Sequence, residues 1–147
     1  MQTFLPYPDF AASAACLDYR RLGKQRVECL QILTALNVPT YGWQNHPAVR
    51  MWRGYDAALI CYGLAVCTEW VKRGYNDTCF TKIHTFFKPD GDDTLHDCMT
   101  GNIPPWLGDN AFHASHRSNL LRKDPAHYQQ FGWTEPSTLP YIWPLTN

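Results

Sequence analysis

Apolar positions recur at three- and four-residue intervals over several separate stretches, which is the spacing of helices that bury one face. Over residues 18–36, Leu22, Arg26, Cys29, Leu33 and Leu36 fall on one side, giving a long helix whose inward face contains one charged intruder. Within it Gly23 costs about 1 kcal/mol relative to alanine, so it marks either a break or a close approach to the backbone. Residues 56–73 form the clearest helix, with Leu59, Tyr62, Gly63, Val66, Trp70 and Val71 lining one side and Gly74 as its stop. Shorter helices are expected over 79–87 and 110–122, and one begun by Asp124-Pro125 runs to Gly132. Residues 9–15 make one or two helical turns, and His46-Pro47 reads as another helix start.

The remainder lacks helical spacing. Residues 1–7 are short and extended, and 88–109 are rich in Pro, Gly and Asp, as in a long loop. The tail from Trp133 carries Pro136, Pro140 and Pro144, and reads as an extended strap packed down by Trp133, Tyr141, Ile142 and Trp143. The expected fold is all-α: one compact helical domain over 1–147, with an extended N-terminal segment and an irregular C-terminal strap.

Composition sharpens this picture in three ways. The 147 residues suffice for one core, and six Trp, eight Tyr and seven Phe exclude a disordered chain. Thirteen basic and thirteen acidic side chains cancel, which argues against a protein that simply coats nucleic acid but permits a local basic surface. No secretory leader is recognised, and Cys16, Cys29, Cys61 and Cys67 lie in helical apolar patterns, so they are read as reduced thiols of a cytoplasmic protein, expected to be a monomer. The longest apolar run is too short for a membrane span. There is no CxxC pair, HExxH, GxSxG or Gly-rich phosphate loop, and the aspartates at 90–97 lack the order of a calcium loop. Neither a metal nor another cofactor is expected.

Three clusters could carry chemistry. Arg20, Arg21, Lys24, Arg26 and Glu28 crowd one helix, with Arg21, Lys24 and Glu28 on roughly one face. Such a set can bind an anion at its edge and manage protons at its centre; it also suits a solvated face with weak intrahelical pairs. Arg26, turned inward, must meet a carboxylate or reach a ligand. Asn45-His46-Pro47 with Arg50 and Arg53 presents helix-start N–H groups and cations to a phosphate, although a histidine there is more often a cap. His113, His116 and Arg117 have metal-ligand spacing, against which an ordinary surface helix is the stronger reading.

Taken in order, these segments resemble the pyrimidine-dimer DNA glycosylase family. The likeness rests on Tyr19-Arg20-Arg21-Leu22 with Arg26, Asn45-His46-Pro47, and the run from Glu69 through Arg73-Gly74-Tyr75. It continues through Ala114-Ser115-His116, Leu120 to Lys123, Pro125, and Tyr128 to Gly132. The resemblance implies an all-α fold and a DNA glycosylase with AP-lyase activity on a damaged or modified pyrimidine. It implies that the N-terminal amine attacks C1′, displacing the base and forming an imine, after which β-elimination cuts the strand. An α-amine, with an ordinary pKa of about 8, keeps a neutral fraction at pH 7 that suits it to this attack.

On this resemblance Met1, Glu28 and His46 are the catalytic candidates. Arg20, Arg21, Lys24, Arg26, Asn45, Arg50, Arg53, His116 and Arg117 are candidates for holding duplex DNA around an extruded nucleotide. Arg21 stands where the family carries its carboxylate, so the acid is Glu28, or else Glu69 or Asp18 entering from elsewhere. Two alternatives stay open at this level: a non-catalytic nucleic-acid or nucleotide-binding module on the same scaffold, and a helical protein-interaction domain.

Overall fold

A computed structural model of the chain describes residues 1–87 and 102–145. The helices are α1 (Phe10–Cys16), α2 (Tyr19–Asn37), α3 (Pro47–Arg50), α4 (Asp56–Lys72), α5 (Cys79–His84), α6 (Asn110–Lys123) and α7 (Pro125–Tyr128), followed by a 3-10 turn at Gln129–Phe131. No strand occurs among the described residues. The fold is a compact all-α domain.

The helix starts follow from their caps. Asp9 accepts from the Ala12 amide at 3.0 Å, and Asp18 from the Arg21 amide at 3.4 Å. His46 Nδ1 accepts from the Ala48 amide at 3.0 Å, and Asp124 accepts from that of His127 at 3.2 Å. Each satisfies one of the donors that a helix start leaves unpaired.

α4 is the hub, packed against α1, α2 and α5. It is therefore apolar over more of its circumference than one stripe: Ala58, Ile60, Leu64 and Cys67 are buried along with Leu59, Tyr62 and Val66. Val71, expected inside, is 55% exposed, while its neighbour Trp70 carries the contact with α2. Gly23 does not break α2. A β-carbon there would lie 2.9 Å from the Trp70 ring, so the glycine is what lets α2 and α4 close together. α5 is shorter than expected and ends at His84.

Cys16, Cys29, Cys67 and Cys79 are free and buried. Cys61 is disulfide-bonded, which corrects its reading as a reduced thiol. The expected loop at 88–109 lies largely outside the described residues, as do His96, Cys98 and the aspartates at 90–97. Among the described residues no helix is long and apolar enough to cross a membrane, and no group of three His, Cys, Asp or Glu is placed to hold a metal.

The extended N-terminal segment is the fold's least helical and most constrained part. Gln2, Thr3, Phe4 and Leu5 are buried, yet they belong to no sheet. Buried backbone groups must still be paired, and here side chains from the surrounding helices do it. Gln25 of α2 accepts from the Phe4 amide at 2.7 Å and donates to the Gln2 carbonyl at 2.7 Å. From α6, His116 Nδ1 accepts from the Leu5 amide at 3.0 Å, while His113 Nδ1 donates to the Leu5 carbonyl at 2.7 Å. The Tyr62 hydroxyl donates to the Phe4 carbonyl, and Trp52 Nε1 to Thr3 Oγ1 at 3.0 Å. The chain terminus is thereby threaded through the core and held at a fixed point.

Candidate active site

That fixed point is a cleft of about 960 Å³, large enough for an extruded nucleotide. At its floor the Met1 nitrogen lies 3.8 Å from Glu28 Oε2, with both side chains over nine-tenths buried. The same oxygen accepts from the Gln2 amide at 2.8 Å. The other two acidic candidates are engaged elsewhere. Asp18 pairs with Arg21 at 3.1 Å and accepts from the Tyr128 hydroxyl at 2.5 Å. Burial raises the Asp18 carboxyl, but the Tyr128 hydrogen bond and Arg21 outweigh it and hold the group below its ordinary range. Glu69 pairs with Arg73, the residue that caps the end of α4, at 3.3 Å. Of the three carboxylates, only Glu28 reaches the amine.

His46 caps α3 outside the cleft lining, yet within electrostatic reach of the Met1 amine and Glu28. Partial burial and then the positive Met1 amine lower its pKa, with Glu28 opposing. The imidazole is thus disposed to be neutral near pH 7. Its ring stands between those of Trp43 and Trp143, at centroid distances of 5.8 and 6.0 Å.

The cleft wall on the α2 side is basic. Arg20, Arg21 and Lys24 line it, joined by Lys123 from the end of α6. Burial and then the charges of Arg21, Arg122 and Lys24 push Lys123 below the ordinary lysine range. Arg73 also lines the cleft but is paired with Glu69; the other four cations outnumber Asp18, which pairs with Arg21, and Asp124, leaving positive potential for an anion such as a phosphate. Lys123 and the opposing Tyr141 were not among the expected site residues. A terminal helix lysine and a strap tyrosine bear no local sign that folding will carry both to the mouth of the N-terminus.

Six expected contacts sit elsewhere. Arg26 turns away from the cleft, pairs with Asp77 and lies 4.5 Å above the Trp70 ring. It does meet a carboxylate, as an inward arginine must. His116 is fully buried, and Arg117 pairs with Glu135 and donates to the Pro6 carbonyl at 2.7 Å. His113 and His116 therefore replace their expected surface placement with a core one, holding the N-terminal segment. Arg53 is spent on the Gln44 carbonyl at 3.1 Å, while Asn45 is exposed and Arg50 half-buried beyond the cleft lining.

The model of the family described as pyrimidine dimer DNA glycosylase matches residues 1–83, the part of the chain that contains the terminus, α2 and Glu28. The chain belongs to that family. It is accordingly a DNA glycosylase with AP-lyase activity on damaged pyrimidine, and DNA is its partner. No curated protein and no solved structure matches it. The readings of a non-catalytic module and of a protein-interaction domain fall away. For this glycosylase the matched residues carry the amine, the carboxylate and most of the basic wall, while Lys123 and Tyr141 come from the unmatched remainder.

Proposed function

We propose that the Met1 amine is the glycosylase's nucleophile and Glu28 its proton carrier. The contact between the two at 3.8 Å, in a buried floor beneath an open cleft, is the observation that carries this reading. The neutral amine attacks C1′ of the damaged nucleotide; the C1′–N bond breaks and the base leaves with its electron pair. Glu28 takes a proton from the nitrogen and returns it to the opening sugar oxygen as the imine forms. Loss of a C2′ proton then expels the 3′ phosphate by β-elimination, and water hydrolyses the imine to free the amine. While the amine and developing sugar cation are positive, the Glu28 carboxylate stabilises them at short range. Arg20, Arg21, Lys24 and Lys123 hold the flanking phosphates, and His46 acts as a neutral proton relay at the cleft edge.

Borohydride reduction during turnover on duplex DNA with an abasic site tests this directly. An adduct mapped to Met1 is expected, and acetylation of the amine or an added N-terminal dipeptide should abolish it. In the E28Q variant, single-turnover cleavage should fall by at least about a hundredfold, the scale of a lost acid–base catalyst. Trapping at an internal lysine, with full activity after acetylation, would overturn the proposal.

A further inference from the structure

Among the described residues, four buried side-chain polar atoms have no hydrogen-bond partner: Gln2 Nε2, Arg26 Nε, His116 Nε2 and Glu135 Oε2. Their places differ. Arg26, His116 and Glu135 lie outside the cleft lining, whereas Gln2 lines the cleft and follows directly on the residue that carries the amine.

Every other polar group of Gln2 is tied. Its backbone amide donates to Glu28 Oε2 at 2.8 Å, and its carbonyl accepts from Gln25 Nε2 at 2.7 Å. Its side-chain Oε1 accepts from the Thr3 amide at 2.9 Å. That last bond decides which way the side-chain amide faces, because the reverse orientation would set donor against donor. The NH2 group is therefore turned away from Thr3, without an acceptor from the fold, in a residue only 6% exposed. A buried donor left unpaired is costly and rare. Kept beside the amine, it calls for an acceptor that the occupant of the cleft brings.

We propose that the Gln2 side-chain amide is a further catalytic group, which donates a hydrogen bond to the oxygen on C1′ while the Met1 amine attacks that carbon. This role rests on the Met1–Glu28 reading and adds to it the group that holds the oxygen. It requires only that C1′ comes to the amine. At an abasic site the open form of C1′ is an aldehyde. The amine's lone pair makes the N–C1′ bond, and the carbonyl π pair moves onto the oxygen. Glu28 takes a proton from the nitrogen and passes one to that oxygen, which leaves as water, with a second proton from the nitrogen, when the imine forms. The Gln2 N–H keeps its proton throughout and stabilises the charge that builds on oxygen, as preorganised donors do in acyl transfer. On an intact nucleotide the oxygen is the ring O4′. It is electron-poor while the base departs and gains electrons when the ring opens, so the donor assists ring opening rather than base departure.

The variant Q2M removes the donor at similar volume, and Q2E removes it while keeping an acceptor for the Thr3 amide. Both side chains are bulky enough for Met1 to stay in place, which intact mass checks. Borohydride trapping on abasic duplex is followed at saturating protein from pH 6 to 9.5. Anisotropy measures binding to the same duplex with an uncleavable tetrahydrofuran site. The plateau trapping rate should fall at least about tenfold in both variants. Affinity should stay within threefold, and the Q2M midpoint at the wild-type pH. In Q2E the new carboxylate beside the amine raises the midpoint, yet the plateau stays low. A Gln2 that only shapes the floor gives a different pattern: the amine moves relative to Glu28, so the Q2M midpoint shifts and affinity falls with rate. That pattern overturns the donor role. Should Q2M fail to fold, the Q2E plateau decides. A plateau within twofold of wild type in either folded variant overturns the donor and leaves the Met1–Glu28 reading standing. Absence of a Met1 adduct in wild type overturns both.

Discussion

His113 and His116 show how one residue's protonation is tied to the catalytic floor. Their hydrogen bonds fix opposite tautomers. His113 donates from Nδ1 and accepts from the Gly108 amide at Nε2, while His116 accepts at Nδ1 and so carries its proton on Nε2. Burial, and then the neighbouring His113, lowers the His116 pKa from 6.5 to about 3, and burial also lowers that of His113. Both groups are neutral in the fold and can be protonated in the unfolded chain. The unfolded state therefore binds more protons between pH 6.5 and about 3. Stability is full above 6.5 and declines as pH falls through that window, by about 1.4 kcal/mol per unit for each fully displaced group. Thermal melts at pH 7.5 and 5 should show a drop that is smaller in H116N, whose amide cannot take up the proton. Equal drops in both proteins would refute the linkage. None of this was legible in the sequence, where a histidine pair at three-residue spacing suits a solvated helix face equally well. Their shared partner, the backbone of Leu5, lies more than a hundred residues away.

At the scale of elements, the sequence was informative about helices and poor about their partners. Caps and stops are local chemistry, so helix starts near Asp9, Asp18 and Asn45-His46 and at Asp124 could be read from the sequence, though not always which residue caps them. The α2–α4 contact shows the limit. Gly23 signalled either a break or a close approach, and the choice depends on Trp70, 47 positions later in another helix. In the fold the contact continues through Arg26, which lies over Trp70 and pairs with Asp77. Asp77 in turn accepts from the Cys79 and Phe80 amides at 3.1 and 2.8 Å at the start of α5. The α2 face that looks like one basic cluster thus divides, with Arg21 and Lys24 toward the cleft and Arg26 toward the α4–α5 core. Two outcomes follow from that division. G23A gains about 1 kcal/mol of helix propensity but drives a methyl against the Trp70 ring, so a net loss of about 1–3 kcal/mol is expected in denaturant melts. D77A leaves Arg26 buried without its carboxylate and should cost about 3 kcal/mol or more, with DNA affinity at a temperature well below melting changed less than by R21A. A D77A protein as stable as wild type would remove Arg26 from the structural role assigned to it.

For the whole molecule, zero net charge and a DNA partner are compatible because the charge is sorted in space. Thirteen cations are shared among several tasks: Arg26, Arg73 and Arg117 pair within the fold, Arg53 and Arg122 hold backbone carbonyls, and the cleft rim keeps Arg20, Arg21, Lys24 and Lys123. A protein with a large basic face would release many counterions and bind undamaged DNA tightly at low salt. With four rim cations, one of them already paired to Asp18, this glycosylase should displace few. Each neutralised phosphate contributes about −0.9 to the slope of log affinity against log salt, so a slope of about −3 is expected on undamaged duplex. The double variant R20A/K24A should flatten that slope by nearly 2, whereas R26M should leave it nearly as it was, because Arg26 faces Asp77 rather than the cleft. Specific affinity then has to come from contacts at the lesion itself. Fluorescence anisotropy from 50 to 300 mM salt decides the matter: a steep slope of about −6 or beyond would mean that a broader basic surface, outside the cleft described here, carries the DNA.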